Sequence, residues 1–278
     1  MQIFKLGLIG YPLGHSLSPK IHAAALKACN LQGDYSLFPI HPDDKQRLKD
    51  LINRVRSGEI HGLNVTIPHK QKVIEFMDEL SPTAKVIGAI NTIYLRNDKL
   101  IGENTDASGF LSDLKSFIGN RESEIVNHKS AIVLGAGGSA RAIVYALLND
   151  EWKVTISARR TEQAQQLANS FPNYPLLITN LSDLQLSTYD LIVNTTPIGM
   201  TPNINASPLP EDLSLPSNVF IYDLIYNPKE TKLVKHARLQ GLSATTGLGM
   251  LIEQAALAFE IWTGKNPPRE ILYNLAVE

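Results

Sequence analysis

Two stretches of this chain bring together side chains capable of acid–base chemistry. In LNVTIPHK, a strand sets Leu63, Val65 and Ile67 on one face and Asn64 and Thr66 on the other. Pro68 then ends the strand and opens a helix, because a missing N–H costs nothing at the first helical position. Lys70 lies at helical spacing from Val73, Ile74 and Met77 and shares their apolar face. A lysine there ordinarily carries its ammonium out to solvent. Three polar residues converging on one strand end instead describe a pocket. The second stretch, GENTDASGF, holds Asp106 after Asn104 and Thr105. It reads equally as the N-cap of a helix carrying Phe110, Leu111 and Leu114, or as a carboxylate reserved for chemistry. An ammonium is a proton donor at neutral pH and a poor base.

Other polar residues add to this set. In HSLSPK, Ser18 is a plausible N-cap with Pro19 at the first helical position, whereas Ser16 has no such structural reason. An extended segment points both serines the same way. Gln254 sits among Met250, Leu251, Leu257 and Ala258 on the face of a helix expected to be buried. A buried amide needs a partner, either backbone or ligand. His15, His22 and His69 read as ordinary loop or helix residues. With one cysteine and no H-E-x-x-H, no metal site is expected.

A further site is expected for a dinucleotide. SAIVLGAGGSARAIVYALL is an apolar strand, a glycine turn and an apolar helix, with Gly135, Gly137 and Ala140 in G-x-G-x-x-A spacing. Gly135 permits the turn, Gly137 lets backbone approach a pyrophosphate, and Ala140 lets helix pack on strand. The next strand ends in Arg159 and Arg160, where an NAD site wants a carboxylate for the ribose 2′-OH. Two guanidiniums suit a 2′-phosphate, so the cofactor expected is NADP. The loop Asn194–Met200 follows another buried strand and should border the cofactor.

The elements that position these residues alternate strand and helix. Strands are expected at 4–9, 35–40, 62–67, 89–95 and 99–103, and helices at 19–29, 43–57 and 70–79. Gly119–Ser130 is a polar connection. Beyond it, strands at 153–157, 175–178, 191–194 and 219–223 suit a doubly wound sheet, and a last helix runs from Met250 to about Thr263. The chain has 278 residues, 44% hydrophobic and 19% charged, with a net charge of -1. That balance argues against disorder and against a nucleic-acid surface built on basic excess. The apolar run Leu6–Ile9 is too short for a signal segment, and no run is long enough to span a bilayer. The single cysteine, Cys29, fits a reducing compartment. A cytoplasmic protein, monomer or homodimer, is expected.

HSLSP, NVTIPHK, GAINT, ENTD, GAGGSARA, NTTPIGM, DLIYNP and GLGMLIEQA occur in the order and context seen in shikimate dehydrogenases, from near residue 10 to near residue 260. The chain resembles that family. The resemblance implies an α/β fold of two domains: a substrate domain with a mostly parallel sheet at 1–106 plus 250–278, and a Rossmann-type NADP domain at 107–249. The C-terminal helix would return to the first domain. It further implies that Lys70 and Asp106 form a catalytic pair. Ser16, Ser18, Asn64, Thr66, Asn91, Tyr226 and Gln254 would hold a small-molecule substrate, shikimate or 3-dehydroshikimate. NADP would lie on Gly135, Ala136, Gly137, Gly138, Ser139 and Arg159, with Arg160 adding charge and Thr196, Leu224 and Gly247 nearby. Ala158 and Arg160 depart from the family's usual Asn and Thr, and Ala23 from its Asn. The activity implied is NADPH-dependent reduction of 3-dehydroshikimate. The alternatives are a quinate/shikimate dehydrogenase of relaxed cofactor use and a non-catalytic NADP-sensing protein.

Overall fold

The computed structural model describes residues 2–125, 129–180, 185–210 and 213–277. The chain divides into two compact units, Met1–Gly109 with Ile252–Glu278, and Phe110–Leu251. No helix among the described residues is long and apolar enough to cross a membrane.

The first unit contains β1 (Ile3–Gly10), α1 (Ser18–Ala28), β2 (Gln32–Pro39), α2 (Lys45–Arg56), β3 (Gly62–Val65), β4 (Glu79–Leu80), α3 (Pro82–Ile87), β5 (Thr92–Arg96) and β6 (Lys99–Glu103). It also holds the first turn of α4 (Asp106–Ile118). Its sheet runs β2-β1-β3-β5-β6-β4. β1 pairs in parallel with both β2 and β3, and β4 with β6, while β5 is antiparallel to its neighbours. The amphipathic face of α2, through Leu48, Leu51, Ile52 and Val55, packs with Ile9, Leu63, Val65, Ile93 and Leu100 in one core.

After the rest of α4, the second unit holds β7 (Ser130–Leu134), α5 (Gly138–Asn149), β8 (Lys153–Ser157), α6 (Thr161–Asn169) and β9 (Leu177–Thr179). It continues with β10 (Leu191–Asn194), β11 (Phe220–Asp223), α7 (Lys232–Leu239) and β12 (Ala244–Thr246). Its sheet, β12-β11-β10-β7-β8-β9, is parallel throughout, so every strand's C-terminal end lies along one edge. Strand order reverses between β7 and β10, the doubly wound arrangement. α8 (Leu248–Thr263) and α9 (Arg269–Val277) end the chain, and from Ile252 onward they belong to the first unit.

Several local expectations are corrected. No α-helix spans 70–79: Lys70 lies in a turn, and only Lys72–Phe76 forms a short 3₁₀ helix. Glu79 and Leu80 are instead drawn into the sheet beside β6, so edge pairing overrides the apolar periodicity. β3 stops at Val65, which leaves Thr66 outside the strand and Ile67 exposed. β5 starts at Thr92 rather than residue 89, because Gly88 in the left-handed region (φ 66°) ends α3 just before it. Ser18 is the first helical residue rather than the cap, and Leu17 is helical in backbone rather than extended. Ser16 Oγ accepts from Ser18 N at 3.2 Å, so Ser16 does have a local structural role. The expected last helix is followed by α9. Within the connection Gly119–Ser130, residues 126–128 lie outside the described residues.

Candidate active site

In the first unit Lys70 Nζ donates to Asp106 Oδ2 at 2.5 Å, with side-chain exposures of 11% and 5%. Four bonds fix the turn that carries Lys70. Thr66 N donates to Ile9 O at 2.8 Å, and His69 N to Thr66 O at 2.9 Å. Ile90 N donates to Lys70 O at 2.8 Å. The buried His69 ring reaches Ile40 O through Nε2 at 2.8 Å, and since a carbonyl only accepts, Nε2 carries the proton.

Asp106 stands at the start of α4, yet it is not the cap. Asn104 Oδ1 accepts from Asp106 N at 3.1 Å and from Ala107 N at 3.3 Å, and its amide nitrogen donates to Ala89 O. With the N–H groups of Asp106 and Ala107 taken by Asn104, the Asp106 carboxylate bonds with Lys70 and Asn91 instead. Breaking a buried ion pair is far costlier than never burying one, so these supports matter.

Asn91 is the centre of the cluster. Its Nδ2 lies 2.9 Å from Asp106 Oδ1, 2.9 Å from Thr105 Oγ1 and 3.2 Å from Gln254 Oε1. Its Oδ1 accepts from Thr105 N at 2.8 Å and from Thr92 Oγ1 at 3.0 Å. Asn64 Nδ2 donates to Asn91 O and Thr92 Oγ1, while Tyr35 Oη donates to Asn64 Oδ1 at 2.8 Å. Gln254 packs its backbone against Gly109, where an added Cβ would lie 2.7 Å from Gln254 N. The buried amide anticipated on α8 therefore meets a side-chain amide. Tyr35, Thr92 and Thr105 were not anticipated. Tyr35 stacks on the buried His22 ring at 4.2 Å, and burial lowers the His22 pKa to about 3.

The remaining candidates are placed by other segments. Ser16 and Ser18 bond to one another, and Thr66 turns its methyl toward Gly10. Tyr226 follows β11 in the second unit.

Along the C-terminal edge of the second sheet, every parallel strand except β9 is followed by a candidate. Gly135 follows β7 with φ +114°, a conformation that side chains rarely adopt. A Cβ there would meet Thr195 Oγ1 at 2.6 Å and Thr196 Cγ2 at 3.2 Å. Gly137, by contrast, faces open space at the N-terminus of α5, and Ala140 is fully buried beneath it. Arg159 and Arg160 are exposed after β8. Thr196 follows β10, and its N and Oγ1 donate to Asn194 Oδ1 at 3.0 and 2.7 Å. After β11 and β12, Gly247 presses on the Leu224 carbonyl, leaving no room for a side chain.

Comparison with known proteins gives this arrangement a family. Residues 8–93 match the shikimate dehydrogenase substrate binding domain, 118–231 the shikimate/quinate 5-dehydrogenase family, and 247–276 the shikimate 5'-dehydrogenase C-terminal domain. The shikimate dehydrogenase (NADP(+)) of Bacillus subtilis strain 168 is 39% identical over 98% of this chain and 95% of its own. The chain belongs to the shikimate dehydrogenase family. A crystal structure of a shikimate dehydrogenase in complex with NADP+ superposes with a TM-score of 0.90 at 38% identity, covering 99% of this chain and 95% of that one. The Thermus thermophilus shikimate 5-dehydrogenase in complex with NADP(H) and shikimate gives 0.86 at 35% identity, covering 99% and 98%.

The edge of the second sheet fits the cofactor of that family. The α5 N-terminus offers backbone N–H groups for an anion, and Gly137 leaves the space before them open. No acidic residue follows β8 until Glu162, so the two arginines are the charges available there. In the first unit the Lys70 ammonium is held buried against Asp106 rather than in solvent.

Proposed function

We propose that this chain reduces 3-dehydroshikimate to shikimate, reversibly, with NADPH. Membership of the shikimate dehydrogenase family supports the activity and the cofactor. The observation that carries the mechanism is the buried Lys70–Asp106 pair, flanked by the amides of Asn91 and Gln254. NADPH, when bound, supplies the hydride that adds to the ring carbonyl carbon. The Lys70 ammonium protonates the carbonyl oxygen as it becomes an alkoxide. Asp106 Oδ2 holds that ammonium in place, and Asn91 Nδ2 fixes the other carboxylate oxygen. In the reverse direction the same nitrogen takes the hydroxyl proton back.

In this reading Asn64, Asn91 and Gln254 hold substrate hydroxyls from the first unit, and Ser16, Ser18 and Thr66 complete the set with Tyr226. A ring acid carrying several hydroxyls needs such paired donors and acceptors, because a buried polar group left unmatched costs about 1–3 kcal/mol. Gly135–Ser139 cradle the pyrophosphate, Arg159 and Arg160 pair with the 2′-phosphate, and Thr196, Leu224 and Gly247 border the nicotinamide half. Cys29 as the single cysteine supports a reducing, cytoplasmic setting.

The test is reduction of NADP+ or NAD+ followed spectrophotometrically with shikimate or quinate as donor. Shikimate with NADP+ should be the fastest combination. Equal rates with quinate and NAD+ would favour a quinate/shikimate dehydrogenase of relaxed cofactor use. No turnover with any pair would leave only an NADP-sensing role.

A further inference from the structure

Asp223, at the end of β11, is fully buried and is not one of the residues assigned to substrate or cofactor above. Three neutral donors reach it from three directions. Asn194 Nδ2 at the end of β10 donates to Oδ1 at 2.9 Å, and Ile225 N to the same oxygen at 3.1 Å. Thr231 Oγ1, the cap of α7, donates to Oδ2 at 2.7 Å. Burial raises the carboxyl to about 6, which still leaves it ionised at neutral pH.

An ionised carboxylate accepts and never donates. Asn194 must therefore turn its nitrogen toward Asp223 and its oxygen the other way. That oxygen takes both Thr196 donors, N and Oγ1. Thr196 Oγ1, its hydrogen committed, then accepts from Ile198 N at 3.2 Å. The result is a hydrogen-bond chain of one polarity, running from Ile198 through Thr196 and Asn194 to Asp223. It leaves the Thr196 methyl set against the Gly135 turn. Beside it, Leu224 N donates to Asn194 O at 2.9 Å and Gly247 N to Ile225 O at 3.1 Å, so the same strand ends are tied together.

The geometry points to Asp223 as a positioning residue for the cofactor: it orients Asn194, and through Asn194 it holds the Thr196 loop over the glycine turn. The proposal rests on the reading that NADP binds along this edge. Asp223 touches neither ligand in that reading, and what it supplies is an acceptor oxygen at a fixed place.

The experiment measures NADP+ dissociation constants and steady-state kinetics on the full chain, with a thermal melt for each variant. Asp223→Ala removes the acceptor. It should weaken NADP+ binding and raise the NADPH KM about tenfold, the worth of one lost hydrogen bond, while kcat and the shikimate KM hold. Asp223→Asn keeps an oxygen for Asn194 and Ile225 and should stay within about threefold of the parent by the same measure. Should alanine unfold the chain, Asp223→Leu fills the volume and replaces it. A merely structural residue would lower the melting temperature and kcat together and leave KM alone, and that outcome overturns the proposal. So does equal weakening in the alanine and asparagine variants. Gly137→Ala separates this failure from a misplaced cofactor, because its methyl meets no protein atom. If Gly137→Ala leaves NADP+ affinity unchanged, the cofactor reading fails. If it weakens binding while Asp223→Ala does not, only the positioning role fails.

Discussion

The two units build their candidate sites from different materials. In the first, the site is a buried network of side chains from distant segments, converging on Asn91. In the second, it is mostly backbone: a helix N-terminus, a glycine in the left-handed region and a glycine facing open space, with side chains bracing from behind. A side-chain network places individual protons and charges, but each member is buried and depends on its partners. A backbone cradle recognises an anion by shape and dipole, and most of its side chains can change without touching the ligand. The difference fits the roles proposed for them: to move a proton at one atom, and to hold a long phosphate-bearing molecule.

The contrast breaks most sharply at Asp106. Asp106→Ala leaves the Lys70 ammonium buried without its counter-charge, which should cost about 3–5 kcal/mol. The double variant Lys70→Ala/Asp106→Ala should be less destabilised than that single one, because it buries no lone charge. Denaturant unfolding of the set checks this, and a cost under about 1 kcal/mol for Asp106→Ala would show that the pair is not buried in solution.

The two units also carry buried groups that respond to pH in opposite ways. His22 in the first unit is lowered from 6.5 to about 3 by burial. The unfolded chain takes up that proton first, so stability falls as pH drops below 6.5, by about 2 kcal/mol at pH 5. Asp223 in the second unit is raised from 3.8 to about 6, again by burial. Here the folded chain holds the proton longer, so stability falls as pH rises from about 4 to about 6. Above that window the full cost, about 3 kcal/mol, persists. His22→Phe, which keeps a ring on Tyr35, should therefore gain over the parent as pH falls. Asp223→Asn should gain as pH rises, less whatever its weaker acceptor loses. Unfolding free energies at pH 5 and pH 8 decide both, and parallel curves for variant and parent would contradict them.

The smallest effects come from the glycine turn. Gly135→Ala should cost about 1–3 kcal/mol, since it forces a side chain into a strained conformation and against Thr195. Gly137→Ala should stay within about 0.5 kcal/mol in stability and act only on the cofactor. Equal destabilisation by the two would mean that the second unit's turn is not shaped as described.

The same difference governs what the sequence made legible. The glycine turn, the strands around it and the paired arginines could be read directly, because each is set by neighbours within a few residues. Asn91 emerged only through family resemblance, and Tyr35, Thr92 and Thr105 not at all. Their roles depend on β1, β2, β3, β5 and β6 lying side by side, which no local pattern encodes. In the sequence Asp106 reads equally as cap or as chemistry, and in the structure Asn104, two residues earlier, accepts from the first N–H groups of the helix. The apolar periodicity of 70–79 was misleading, because the vacant edge of β6 drew Glu79 and Leu80 into the sheet. Lys70 lies in a turn rather than on the helix its spacing describes.

In the proposed mechanism the buried ammonium of Lys70 delivers the proton that accompanies hydride transfer. The direct measurement is kcat for shikimate oxidation and the NADP+ dissociation constant, both in Lys70→Ala. A fall in kcat of about 10²–10⁴-fold with NADP+ affinity unchanged is the predicted result. Turnover at the parent rate in a folded Lys70→Ala protein would contradict it.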